Sequence, residues 1–278
     1  MTAAPALRMI RPRWLTLPLI VGLLLVLFWL LATVAAPVLT AHDPLDMVGR
    51  RLQPPSWDHL LGTDALGRDV LSRTLHGARH SIPISVTVVI CAVAIGATLG
   101  ALAGFLGGFA DTVIMRLVDV TLSFPPMLLA MAVAASLGPG LWNAAIAMVI
   151  VWWPVYARLM RAQVLEVRER EHVEAAIASG ATQTRVLTKH ILPLCWTPVL
   201  ISATMDLGQV ILLAASLSFI GLGATPPTPE WGSMISDGAA QFYSWWVALG
   251  PGLAILTIVL GFNFIGDGLH DYFDPRSR

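Results

Sequence analysis

The sequence has little charge and almost no cysteine. Only 12% of its 278 residues are Asp, Glu, Lys or Arg, and it contains two cysteines. Soluble domains have about 25% charged residues, so this composition excludes an ordinary soluble fold. Cys91 and Cys195 fall in or beside apolar runs, which argues against a disulfide framework and favours small packing residues. The net charge is zero, which argues against a nucleic-acid partner.

The sequence also lacks the motifs of common enzymes. No phosphate-binding loop ending in Gly-Lys-Ser or Gly-Lys-Thr occurs, so we expect the chain to bind no ATP or other cofactor itself. No Gly-x-Ser-x-Gly elbow or His-Glu-x-x-His helix occurs, which argues against an intramembrane hydrolase. Four histidines raise the question of a metal site: His42, His59, His76 and His80. Their spacings fit no common ligand set, so we expect solvated loop histidines and no metal.

Long apolar runs dominate the chain instead, and hydrophobic residues make up 56% of it. Runs of about 18 or more apolar residues match the thickness of a bilayer, and backbone groups inside the bilayer require helical hydrogen bonding. The sequence therefore predicts an all-α polytopic membrane protein that forms one domain over 1–278. The six predicted transmembrane helices are 14–36, 82–106, 120–138, 141–158, 194–219 and 247–267. We expect the first run to remain as a span, since it is longer than the apolar part of a signal peptide.

The distribution of basic residues predicts the orientation. Five of the 17 lysine and arginine residues lie between 50 and 79, in the segment 37–80 that joins the first two spans. The remaining ones fall on the opposite side if both termini are cytoplasmic, as the positive-inside rule favours. This N-in, C-in topology places segments 37–80 and 220–246 outside the membrane. It places the polar segment 160–192, hereafter the coupling segment, in the cytoplasm.

The coupling segment contains residues that are expected to interrupt its helices. Its composition favours a helix from about 162 to 178, which Gly180 is expected to end by adopting a positive φ. Thr182 suits the N-cap of a second short helix, and Pro193 is expected to stop or kink the chain as it enters the fifth span. A rigid helix end of small residues with the charge of Glu174 suits a groove on a soluble partner.

The residue pattern of this segment resembles a known family. Glu174-Ala175-Ala176, Gly180 and Leu192-Pro193 have the spacing of the cytoplasmic EAA loop of ABC importer permeases. His190-Ile191-Leu192-Pro193 is similar to the dipeptide, oligopeptide and nickel importers of that family. Three further stretches resemble the C-type subunit of the same branch: 61–73, 217–223 followed by 226–232, and 263–269 followed by 274–276. The resemblance covers about 60–278.

The resemblance implies a type I ABC importer permease fold in a bacterial inner membrane. It implies the transmembrane subunit of a binding-protein-dependent importer that moves dipeptides or oligopeptides by alternating access, with nickel or another chelated solute as the alternative. The implied partners are a homologous second permease, two ATPase subunits or domains that bind ATP and Mg, an extracytoplasmic binding protein, and membrane lipid. The implied ATPase-coupling residues are Glu174, Ala175, Ala176, Ile177, Gly180, Leu192 and Pro193. The implied residues facing the binding protein are Gly62, Asp64, Arg68, Asp69 and Trp231.

Asp206 lies near the middle of the fifth span, where an uncompensated charge is costly. Together with Gln209 and Asn263 it is a candidate for the translocation path. The alternative is a buried structural hydrogen bond, and the sequence leaves the two open.

Two other patterns concern helix packing and helix ends. Glycines recur every four residues in and after the second span: Gly96, Gly100, Gly104 and Gly108. They predict close approach of another helix, either as a sliding surface or as static packing. Trp152, Trp153 and Tyr156 precede Arg158 and predict an aromatic belt at the end of the fourth span.

A self-sufficient channel or secondary transporter is the competing hypothesis. It predicts an inverted internal repeat, or paired broken helices around a charged site. The sequence contains no such repeat, and Asp206 is its one central charge. The importer permease is therefore the preferred interpretation.

Overall fold

The computed structural model describes residues 17–273, which form ten α-helices, one π-helical segment and no β-strand. The elements in chain order are α1 (Leu17–Leu39), α2 (Val70–Leu106), α3 (Gly108–Leu122), α4 (Pro126–Leu137), α5 (Leu141–Arg168), α6 (Glu171–Ala178), α7 (Gln183–Arg185), the π-helical segment Val186–Ile191, α8 (Leu192–Phe219), α9 (Trp231–Ala239) and α10 (Trp246–Phe273). The predicted all-α architecture is confirmed. The start of the predicted first span, 14–16, and the end of the last resembling stretch, 274–276, lie outside the described residues.

Within the described residues, five helical runs are long and apolar enough to cross a membrane: α1, α2, α5, the run Gln183–Phe219 that ends with α8, and α10. The sixth candidate span is a pair of helices, because α3 and α4 meet at an angle of 93°. The break follows from Pro125 and Pro126. Pro125 disfavours the helical conformation at the residue before it, and Pro126 occupies the first position of α4.

Several predicted helix ends were wrong, because apolar runs mark only the lipid-facing part of a helix. The third span begins at Gly108 rather than at 120, since charged residues such as Asp111 conceal the start of α3. α2 begins at Val70, where the Asp69 carboxylate accepts a 2.7 Å hydrogen bond from the amide of Ser72. α5 continues to Arg168 instead of ending near 158, which adds about 15 Å of polar helix.

The glycine pattern brings α2 and α5 into backbone contact. A Cβ atom on Gly96 would collide with the carbonyl oxygen of Trp153, and one on Gly100 with that of Ala157. Gly108 is not part of this contact, because it begins α3 with nothing within 4 Å of its Cβ position. Such close contact leaves no clearance between the two backbones. It favours static packing over a sliding surface.

α1 lies at the edge of the bundle and packs against α10. The indole of Trp29 donates a 2.9 Å hydrogen bond to the Thr257 hydroxyl, which fixes the two helices together. Trp29 also meets Trp231 edge to face, with 5.1 Å between ring centroids. Most other large apolar side chains of α1 are exposed, as expected for a surface that faces lipid or another subunit.

Candidate functional site

The stretch from 162 to 178, which the sequence predicted as one helix, contains the end of α5 and the whole of α6. α5 ends at Arg168, the chain turns, and α6 begins at Glu171. The guanidinium of Arg170 donates a 2.8 Å hydrogen bond to Glu166 across this turn. In a straight helix Val173 would point about 180° away from Val164. The turn instead places both valines in one buried cluster.

α6 has one buried and one exposed side. Val173 is fully buried against Val186 and Ile191 of the π-helical segment, whereas Glu174 and Ala175 are exposed and Ile177 is 56% exposed. A cavity of about 270 Å³ lies beside this contact. Apolar contacts thus hold one side of α6 against the rest of the chain and leave its other side exposed.

The end of α6 is as predicted, but the connection from α6 to α8 differs from the predicted one. Gly180 has a φ of +80° and ends the helix, in the left-handed region that glycine adopts at little cost. Thr182 occupies the N-cap position of α7, but its side chain makes no capping hydrogen bond. A π-helical segment then leads directly into α8, whose first turn contains Leu192 and Pro193. The predicted coupling residues therefore lie at two places, α6 and the start of α8.

The same region contains two ion pairs between α3 and α5. Arg158 contacts Asp119 at 2.6 Å, and Arg161 donates two parallel hydrogen bonds of 2.5 and 2.6 Å to Asp111. Bidentate pairs of this kind fix orientation as well as distance. They hold the first half of the bent span against the long helix that leads to the coupling segment.

Asp206 is bound to a residue that the sequence interpretation placed elsewhere. The hydroxyl of Tyr156 donates a 2.7 Å hydrogen bond to Asp206 Oδ2, and the Trp152 indole lies beside this carboxylate. Tyr156 is fully buried within α5. Its prediction as part of an aromatic belt at a helix end was wrong, because α5 continues for ten residues beyond Arg158.

The three candidates for the translocation path do not converge. Gln209 is exposed one turn after Asp206 on the same side of α8, whereas Asn263 lies on α10. A Cβ atom on Gly208 would be 3.7 Å from the Asn263 side-chain oxygen. Because residues 206 and 208 point about 160° apart on a helix, Asp206 and Asn263 lie against different neighbours of α8.

The outer segment before α2 is organised around two buried carboxylates. Asp64 accepts a 2.6 Å hydrogen bond from the Arg68 guanidinium, and Arg73 approaches it to 3.5 Å. Asp69 caps α2 and lies 3.0 Å from Nδ1 of His59. His59 is only 5% exposed, so its prediction as a solvated loop histidine was wrong. The carboxylate that holds it lies ten residues away, and the spacing of the histidines alone does not include it.

The outer segment after α8 is anchored by Trp231 and Glu230. The buried Trp231 indole donates a 2.9 Å hydrogen bond to the Thr74 carbonyl oxygen. Glu230 is 2% exposed and accepts hydrogen bonds from the Ser81 hydroxyl at 3.2 Å and the Ser233 amide at 2.9 Å. Burial raises the pKa of the Glu230 carboxyl above its ordinary value. Sequence reasoning missed Glu230, although an acidic residue directly before a short helix is a capping signal.

All five residues predicted to face a binding protein are buried: Gly62, Asp64, Arg68, Asp69 and Trp231. These residues lie beneath the outer surface and support the residues that are exposed on it. A partner would contact the exposed residues that they support, around a cavity of about 390 Å³ between Leu66 and Asp237.

Sequence and structure comparisons agree with this architecture. Residues 96–278 match the family described as binding-protein-dependent transport system inner membrane component. The chain is 46% identical over 268 residues to the dipeptide transport system permease protein DppC of Escherichia coli, covering 93% of this chain and 89% of that protein. It is 44% identical over 261 residues to DppC of Alkalihalophilus pseudofirmus, covering 93% and 86%. A solved inward-facing structure of the MetNI methionine ABC transporter superposes with a TM-score of 0.58 at 20% identity, covering 70% of this chain and 93% of that one.

Proposed function

This chain belongs to the family of binding-protein-dependent transport system inner membrane components, and we propose that it is the C-type permease subunit of a dipeptide or oligopeptide importer. It is a multi-pass permease of the bacterial cytoplasmic membrane with the type I ABC importer fold. The peptide substrate is supported by relatives at 44–46% identity that are named dipeptide permeases. Selection among peptides would rest with an extracytoplasmic binding protein.

The observation that supports the proposal is that α6 is packed against the rest of the chain on one side and exposed on the other. Its outer side offers Glu174, Ala175 and Ile177 to a partner, while Val173 packs into the cluster that also contains Ile191. A partner ATPase that binds α6 would therefore move the start of α8 and the end of α5 with it. ATP and Mg would bind to two ATPase subunits or domains, and this chain would supply no group to hydrolysis.

Transport would follow from a shift between two packings of the spans. ATPase closure would favour the outward-open state, and product release would return the importer to the inward-open state. A homologous second permease would complete the path, since this chain leaves large apolar side chains exposed on several spans. The binding protein would deliver peptide to the outer surface built on segments 60–80 and 221–246.

The proposal is tested by co-purification and uptake. We expect the chain, extracted in mild detergent, to bring two ATPases and a second permease, and the reconstituted assembly with its binding protein to take up dialanine only with ATP. Glu174→Arg should abolish uptake and release the ATPases, because it reverses the charge on the outer side of α6. Glu169→Arg makes the same change at an exposed position outside α6 and should leave both unchanged. A chain that conducts dialanine by itself would overturn the proposal in favour of a channel.

A further inference from the structure

Within residues 17–273, Asp206 has a neutral hydrogen-bond donor but no cationic partner. Tyr156 of α5 donates to its carboxylate and Trp152 of the same helix lies beside it, and neither side chain carries a charge. None of the ion pairs found among residues 17–273 includes Asp206. A carboxylate near the centre of a membrane span is costly, and such groups commonly pair with a cation or line a path for solutes.

The arginines that follow this site on α5 are already paired. Arg158 and Arg161 follow Tyr156 on α5, and each contacts an acidic residue of α3, Asp119 or Asp111. These pairs direct the guanidinium groups toward α3, whereas Asp206 lies on α8. The described part of the chain therefore provides the carboxylate without its counter-ion.

The carboxylate is also accessible from the side of the bundle. Asp206 is half-buried, and Gln209 on the same side of α8 is exposed one turn later. The Trp152 ring is half-buried as well, and an aromatic face stabilises a cation that lies against it. The site thus combines a carboxylate, an aromatic ring and partial exposure at the surface of this chain.

We infer that Asp206, with Trp152 beside it and Tyr156 as its positioning residue, binds the α-ammonium group of a peptide in transit. The inference rests on the proposed peptide substrate. Every unblocked peptide carries an α-ammonium group whatever its side chains, so such a site recognises the class of substrate and tolerates its variety. The Tyr156 hydrogen bond holds the carboxylate in place when no peptide is present.

A labelling experiment on the assembled importer tests this site directly. A Gln209→Cys reporter is placed in a background with Cys91→Ser and Cys195→Ser, and its reaction with a water-soluble methanethiosulfonate is timed without nucleotide or binding protein. We expect dialanine at high millimolar concentration to slow the reaction about threefold or more, since weak ligands occupy sites in that range. N-acetyl-dialanine, which has no ammonium group, should not slow it.

Variants of α8 complete the test. Asp206→Asn should abolish the protection by dialanine and Asp206→Glu should retain it. Thr204→Val removes a hydroxyl group from the same helix. In the described residues this hydroxyl donates to the Leu200 carbonyl oxygen, so the variant should retain the protection as well. Equal protection by the two peptides, protection that survives Asp206→Asn, or a reporter that never reacts would each overturn the inference. ATP-driven dialanine uptake by the wild-type importer is measured separately, so that a failure of the proposed function is not confused with a failure of this site.

Discussion

Gly100 of α2 lies directly against the carbonyl group of Ala157 of α5, with no room for a side chain between the two backbones. This contact fixes the separation of the two helices that carry the outer segment and the coupling segment. Close approach of this kind replaces side-chain packing with direct backbone contact.

Gly100→Ala is therefore expected to destabilise the protein by about 3 kcal/mol, because overpacking must push α2 and α5 apart. Gly252→Ala is the matched control, since it lies within α10 with nothing within 4 Å of its Cβ position. The control should be neutral or slightly stabilising, as alanine favours helix over glycine. Thermal unfolding in detergent measures both variants. Equal melting temperatures would contradict the static packing of α2 on α5.

Val173→Asp should uncouple ATP hydrolysis from uptake. The substitution places a charge in the apolar cluster with Val186 and Ile191, which costs several kcal/mol unless α6 moves out of it. ATPases bound to a detached α6 no longer move α8, so we expect the ratio of peptide imported to ATP hydrolysed to fall about tenfold or more. Val173→Ile keeps the cluster apolar and should retain most of the coupling. Unchanged coupling in the aspartate variant would show that movement passes through other contacts.

The ion pair of Arg161 with Asp111 should show measurable coupling. Both side chains are partly exposed, so the interaction is expected to contribute about 1 kcal/mol. A double-mutant cycle with Asp111→Asn and Arg161→Gln isolates this contribution from the effect of each change alone. A coupling energy indistinguishable from zero would mean that this ion pair does not help to hold α3 against α5.

Glu230 makes stability depend on pH. Its raised pKa means that the folded protein binds the proton more tightly than the unfolded chain, whose glutamate has the ordinary value of 4.5. The contribution of the neutral carboxyl to stability is therefore lost as the pH rises from about 4.5 through the folded-state pKa. Glu230→Gln removes this titration but keeps an oxygen that can accept from the Ser233 amide. We expect the melting temperature of the wild type to fall relative to that of the variant between pH 5 and pH 8. Parallel melting curves across this range would contradict the raised pKa.

The sequence predicted the parts of the site that depend on local patterning. Gly180 ends α6 because of its own backbone freedom, and Glu174 and Ala175 are exposed in the turn of helix that precedes it. Val173 was known only as an apolar residue of a long predicted helix. The turn at residues 169–170, which brings Val173 to Val164, depends on a cluster assembled from distant residues. Local composition gives no information on that cluster.

By itself, the sequence determined the all-α membrane class, the number of candidate spans and the position of the coupling segment, because bilayer thickness and helical hydrogen bonding act on each segment alone. Tertiary structure decided the rest. It bent the third span between α3 and α4, buried Asp64 and Asp69 within an outer segment, and joined Tyr156 to Asp206 across 50 residues of chain. These features depend on which helices become neighbours. A buried charge or hydroxyl needs a hydrogen-bond partner, and for Tyr156 that partner lies in a distant part of the chain.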